Sequence, residues 1–212
     1  MRVPQKAGTR GSLKWMQRAV NDRPSVLSHP ELGTIEWLSP LAGDDFAEYR
    51  DQAFLDLLGL SRLASDLDEF WPRRGPQWDA LGRSGDTVVL VEAKAHLDEM
   101  FSTCQAGEGS RRRIEASFDH VREALGATSA LRWTERFYQY ANRLAHLWFL
   151  RKLGVDARLM LVGFVNDGDV NGPSSPEEWH SAYRMIDNAL GLPGHHAVAP
   201  QILHVHPDVD NF

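Results

Sequence analysis

Apolar and polar positions follow two rhythms along this chain, and each change of rhythm marks an element. Residues 1–10 read as a flexible basic lead. Leu13, Met16, Ala19 and Val20 then recur at helical spacing across Gly11 to Asn21, with Ser12 available as a cap. Pro24 and Pro30 interrupt the next stretch, and Thr34-Ile35-Glu36-Trp37-Leu38 alternates as a strand closed by Ser39-Pro40. Gly43-Asp44-Asp45 opens a predicted helix running to Gly59, with Phe46, Tyr49, Ala53, Leu57 and Leu60 as its apolar stripe. Residues 66–71 read as a strand leading to Pro72. A β-hairpin is predicted over 77–83 and 86–95, turning at Gly82-Arg83-Ser84-Gly85-Asp86; its second arm holds the unbroken run Val88-Val89-Leu90-Val91.

Beyond the hairpin, 102–110 is a predicted loop and Arg111 to Leu125 a helix. The longest predicted helix spans 133–153, where Trp133, Phe137, Ala141, Leu144 and Trp148 repeat at three and four and Gly154 supplies the C-terminal stop. Ala157 to Val165 reads as a buried strand ended by Asn166-Asp167-Gly168. Pro176 starts a helix to about Leu190, and Ile202 to His206 is a candidate edge strand. No internal repeat or low-complexity tract interrupts the pattern. The expected organisation is α/β (α+β): a basic N-terminal arm and short helix at 1–33, followed by one domain over 34–212.

Composition narrows the class. The 212 residues are 42% hydrophobic with seven tryptophans, which favours a packed core over disorder. The longest apolar runs, Val88 to Val91 and Leu159 to Val165, are too short to span a bilayer, so no membrane partner is expected. The single cysteine, Cys104, excludes an internal disulfide and any cysteine-rich zinc site. No secretory leader pattern opens the chain, and the expected compartment is the cytoplasm. The net charge of −6 runs against a nucleic-acid partner, but its distribution is uneven. Six Lys/Arg lie in residues 1–23 against Asp22 alone, and six in 131–158 against Glu135 and Asp156, whereas 166–212 carry seven acids against Arg184. A basic arm and a basic helix can face a phosphate backbone while the acidic tail lies elsewhere.

The candidate chemistry sits at the end of the hairpin. Asp79 is followed thirteen positions later by Glu92-Ala93-Lys94. Strand alternation puts Glu92 and Lys94 on one face, and Asp79 on the neighbouring strand can reach it. A buried strand ending in charges requires partners for them, because each is costly to desolvate alone. Two carboxylates beside a lysine make a hard-oxygen site for Mg²⁺ or Mn²⁺, suited to metal-assisted phosphodiester hydrolysis. The plainer alternative is a surface Asp and an ordinary Glu-Lys ion pair.

With Asp79 and Glu92-Ala93-Lys94, the chain resembles the PD-(D/E)XK nuclease superfamily, whose restriction-endonuclease-like fold has an αβββαβ core. The resemblance implies Asp79 and Glu92 as metal ligands, the Ala93 carbonyl as a further one, and Lys94 as the catalytic group. One departure is visible: Trp78 stands where the family's proline usually precedes the Asp, and the nearest proline is Pro76. Many members place another carboxylate on the first core helix. Glu48 is the candidate here, with Asp44, Asp45 and Asp51 as competitors. In exonuclease members a Gln on the second core helix is followed by a Tyr one turn later. Gln139 matches the first, but Arg143 stands at the later position and Tyr140 lies adjacent to Gln139. Arg136, Gln139, Arg143 and His146 fall on one polar stripe able to receive phosphates, or else form a solvated helix face.

The resemblance thus implies a metal-dependent nuclease with DNA as its substrate, and it allows a homodimer that cuts both strands. The alternatives are a nucleic-acid-binding module without useful turnover and an interaction component of a DNA repair or phage-defence system. Two further clusters carry less. Arg111-Arg112-Arg113 point in different directions on a helix. His204 and His206 share a strand face and His195-His196 precede them, but no third zinc ligand is spaced to join them. No Walker-type lysine and no GxSxG elbow occur.

Overall fold

The run Val88–Val91 lies at the centre of the protein, as a strand buried on both faces must. The computed structural model describes residues 1–212. Along the chain the strands are β1 (Arg2–Val3), β2 (Glu36–Ser39), β3 (Glu48–Tyr49), β4 (Ala80–Ser84), β5 (Thr87–Lys94), β6 (Ala157–Gly163) and β7 (Ile202–Val205). The helices are α1 (Gly11–Asp22), α2 (Gln52–Leu57), α3 (Ala64–Phe70), α4 (Glu108–Leu125), α5 (Tyr138–Lys152) and α6 (Pro176–Leu190). Helices flank one mixed five-stranded sheet of order β2-β4-β5-β6-β7, with β2, β4 and β5 antiparallel and β6 and β7 parallel to β5. No helix is long and apolar enough to cross a membrane.

Period-two alternation along β5 divides the interior into two cores. Val89, Val91 and Ala93 pack towards Trp15, Met16, Ala19 and Val20 of α1 in a cluster of 15 buried residues. Val88 and Leu90 face the opposite cluster of 37, where the other helices lie. Glu92 and Lys94 continue the Val88–Leu90 face. They therefore meet the thicker apolar layer, where an unpaired charge costs most.

Four local expectations are corrected. The lead at 1–10 is tied down: Arg2 and Val3 pair with Tyr49 and Glu48, and Arg2 bridges Asp44 and Asp45 at 2.8 Å. Ser12 donates to Glu99 at 2.9 Å rather than capping α1. The helix predicted from Gly43 is broken, because Asp45, Phe46 and Asp51 take left-handed φ values of 51°, 47° and 54°. Only Gln52–Leu57 remains helical, and Glu48 moves onto β3. Residues 66–71 are not a strand but part of α3, since Leu63, Leu67 and Phe70 repeat at helical spacing against the large core.

The long helix starts at Tyr138, five residues later than the apolar pattern implies. Phe137 reverses the chain at φ 58°, and Trp133 is buried by its own contact, its indole N–H reaching the Leu190 carbonyl at 3.1 Å. The exposed first N–H groups of α5 are satisfied from a distant loop. Tyr138 N–H donates to the Ser102 carbonyl at 3.1 Å, and Gln139 N–H to the Ser102 hydroxyl at 2.9 Å. A cap supplied from that far away leaves no local sequence signature.

Candidate functional site

The β4–β5 hairpin places Asp79 and Glu92 directly opposite each other. Ala80 pairs with Val91, and Asp79 N–H donates to the Val91 carbonyl at 3.2 Å, so one step further along the register sets the two carboxylates on one face. At Asp79 the backbone of β4 leaves the ladder and its side chain takes over: Asp79 Oδ2 accepts from Ala93 N–H at 2.7 Å. A strand residue's N–H and C=O face the same edge, so the Ala93 carbonyl also faces this point.

Glu92 is buried, 3% exposed, between two cations. Lys94 Nζ lies 2.5 Å from Glu92 Oε1, and Arg143 Nε and Nη2 lie 2.5 Å from Oε2. Arg143 comes from α5 and is itself 4% exposed, stacked 4.9 Å from the Trp78 ring, with its remaining donors on the Gln77 carbonyl at 2.7 Å and Asn142 Oδ1 at 2.8 Å. Lys94 also donates to Gln139 Oε1 at 3.2 Å. Glu48 reaches the same place from β3, because Trp78 N–H donates to the Tyr49 carbonyl at 3.1 Å and draws β3 alongside the stretch before Asp79. Its Oε2 accepts from Gln77 at 2.5 Å and from Gln5 at 3.1 Å. These side chains floor an open cleft of about 280 Å³, with Arg74 and Tyr138 on its wall.

The electrostatics follow from that crowding. Burial pushes the Asp79 carboxyl up to about 8, and the neighbouring Glu92 and Glu48 add to the rise against Lys94 and Arg143. Burial would raise Glu92 as well, but Arg143 and Lys94 outweigh it and hold that carboxyl below its ordinary value. Glu48 is raised, chiefly by burial, against the hydrogen bond from Gln77. Burial alone would lower Lys94; Glu92 and Asp79 reverse this and hold it above the ordinary lysine value. The site therefore sets three carboxyl groups against two cations: Glu92 stays ionised between them, while Asp79 and Glu48 are pushed towards the protonated form.

A divalent cation fits this donor set. Glu92 Oε1 is a buried oxygen with a charge neighbour but no aligned hydrogen-bond donor, and Asp79 is raised by burial and by the neighbouring carboxylates, a rise that a bound cation would oppose. Asp79, Glu92, Ala93 and Glu48 are the oxygen donors that the sequence singled out, and they converge. Asp44 and Asp45 are instead bound to Arg2 and Asp51 accepts from Gly75 N–H at 2.9 Å, so none of these three competes with Glu48.

The stripe expected on the second long helix does not form a solvent face. Arg143 is consumed by Glu92. His146 is buried among Phe54, Phe70, Trp71 and Trp78, and burial pulls its ring down to about 3, so it stays neutral. Arg136 is exposed but precedes α5 and lies outside the cleft. Gln139 alone of the stripe faces the cleft with a free side. Arg111, Arg112 and Arg113 diverge to the Cys104 carbonyl, Glu108 and the Asp68 carbonyl. Sequence reasoning missed several residues of the site, Arg74 and Gln77 among them. Arg74, exposed at the cleft wall with φ 67°, sits in a Pro/Gly-rich loop without periodicity. Gln77 lies two positions before Asp79, and a preceding strand residue of that parity was a readable signal.

No family model, curated protein or solved structure matches the chain.

Proposed function

We propose that this chain is a metal-dependent nuclease that hydrolyses phosphodiester bonds of nucleic acid, with DNA as its substrate. The observation that carries the reading is the convergence of Asp79, Glu92, the Ala93 backbone and Lys94 on the floor of one solvent-open cleft. The order of elements lends support. Taken along the chain, α1, β2, β4, β5, α5 and β6 run αβββαβ, with β2-β4-β5 as an antiparallel meander and β6 parallel beside β5. With the intervening β3, α2, α3 and α4 set aside, this order is compatible with the αβββαβ core of the PD-(D/E)XK superfamily.

Asp79, Glu92 and the Ala93 carbonyl would hold Mg²⁺ or Mn²⁺, with Glu48 behind them. Such an ion supplies an acidified water and offsets charge on the phosphate. Lys94 does its work with its own donors: pinned by Glu92 and Gln139 and held cationic, it presents N–H groups to a phosphate oxygen or to the attacking water. Arg74 at the rim offers a charge to an adjacent phosphate.

Circular single- and double-stranded DNA and RNA, incubated with Mg²⁺ or Mn²⁺, test this. Metal-dependent cutting should fall by about 10²–10³-fold in Lys94→Ala and Asp79→Ala, a loss typical of removing one group that stabilises transition-state charge. No cutting of any substrate, or cutting that both variants retain, would overturn it. One observation favours a second reading. Arg143 already occupies Glu92 Oε2, which suits a nucleic-acid-binding module with weak turnover; binding without cutting in the same assay would select it.

A further inference from the structure

The edge of the sheet farthest from β2 holds a second cluster that the cleft does not use. His204 on β7 and His206, one residue past its end, share one face, and α6 brings His180 over them. One ligand-capable atom from each of the three rings falls within 4.8 Å of the others. Their ring centroids are 4.8 Å (His180–His206), 5.3 Å (His180–His204) and 6.2 Å (His204–His206) apart. We infer that His180, His204 and His206 form a zinc site, with a fourth coordination position open to solvent.

Three independent observations support an ion here over a chance gathering of rings. The first is unmet bonding. His204 Nδ1 and His206 Nε2 are buried nitrogens without a hydrogen-bond partner, and buried polar atoms of that kind need an explanation. The second is orientation. His206 Nδ1 lies 3.2 Å from the Gly163 carbonyl, which can only accept, so Nδ1 carries the proton and Nε2 keeps its lone pair. A backbone carbonyl fixing the far nitrogen is the usual support of a metal-bound histidine. The third is rigidity. Trp179, beside His180, donates its indole N–H to the Phe164 carbonyl at 3.0 Å and lies flat against Gly163, where a Cβ would come within 2.7 Å of the ring. Gly163 at the end of β6 and the adjacent Phe164 thus anchor both the imidazole of His206 and the helix carrying His180.

Imidazole nitrogens suit borderline ions such as Zn²⁺ over Mg²⁺, which prefers oxygen donors. Such an ion would tie the edge strand β7 to α6. It lies apart from the carboxylate cleft, so this inference stands or falls independently of the nuclease reading.

The test uses the full chain without any affinity tag, freed of metal by a chelator that is then removed, in excess Mg²⁺ to saturate hard-oxygen sites. Zn²⁺ is titrated against a chromophoric chelator, and Co²⁺ is added separately as a spectroscopic probe. We expect one Zn²⁺ per chain and the intense visible absorption of four-coordinate Co²⁺. His180→Ala, an exposed helix position whose loss leaves the fold intact, should weaken Zn²⁺ by at least about tenfold, and His204→Ala/His206→Ala should abolish it. Asp79→Asn/Glu92→Gln and His195→Ala should bind as the native chain does. Native affinity in His180→Ala would overturn the assignment. So would a weak six-coordinate Co²⁺ spectrum, or Zn²⁺ binding lost in Asp79→Asn/Glu92→Gln.

Discussion

The ends of β5 and β7 bury ionisable groups by opposite means. At the end of β5 the charges survive: Glu92 is held between Lys94 and Arg143, each within 2.5 Å. At the end of β7 no charge is kept: His204 and His206 are neutral, with nitrogens left unbonded. The reason lies in the groups themselves. A histidine can enter a core by shedding its proton near neutral pH, whereas a carboxylate that stays ionised must bring cations with it. The same rule separates Arg143 from His146, one turn apart on α5. Arginine cannot deprotonate and takes Glu92; His146 deprotonates and takes an aromatic cage. A network of retained charges should therefore be brittle, and a cluster of neutral rings tolerant.

The largest effect should come from breaking that contrast at its strongest pair. Arg143→Met leaves a buried carboxylate with half its compensation, and urea unfolding should show a loss of roughly 3–5 kcal/mol. In metal-free protein His206→Ala should cost about 1–2 kcal/mol, since packing and one hydrogen bond to the Gly163 carbonyl are removed but no charge is left unpaired. Equal losses in the two variants would end the distinction between a brittle network and a tolerant cluster.

The next effect depends on pH rather than on a lost partner. Asp79 is raised to about 8 when folded, far above an unfolded aspartate. Between these values the folded chain holds a proton that the unfolded chain has lost. Stability therefore falls as pH rises from about 4 to 8 and is flat beyond, by Asp79's contribution. Asp79→Asn removes the titration. Its melting temperature relative to the native chain should climb across that window in metal-free buffer and level off above it. A difference that does not vary with pH would mean that Asp79 is ionised throughout.

The smallest effect on stability should be at the rim. Arg74→Gln should leave unfolding within about 0.5 kcal/mol of native, because the side chain is exposed and unpaired in the cleft wall. In Ca²⁺, which suppresses cutting, it should nevertheless reduce the slope of log affinity for DNA against log salt by about one. An unchanged slope would remove Arg74 from the binding surface. Arg143, the candidate from the polar stripe, is buried and paired with Glu92, so the same titration on Arg143→Gln would report that ion pair as well as any phosphate contact.

What the sequence by itself determined was local. The α6 helix begins at Pro176 and ends before Gly191 at φ 72°, as proline at the first turn and glycine past the last predict. The β4–β5 hairpin and its alternation were legible for the same reason: an unbroken apolar run needs both faces covered, and period two then decides which side Glu92 and Lys94 share. Tertiary structure alone decided the rest. Glu48 reaches the cleft from a two-residue strand that exists because Arg2 and Val3 pair with it. The start of α5 depends on Ser102, and the third histidine arrives from α6, more than twenty residues before His204 in the chain. Periodicity records what a residue's near neighbours require. A buried charge, a borrowed cap or a ligand set is completed by whichever distant atoms the packed sheet brings within hydrogen-bond reach, and that is settled only when the layers close.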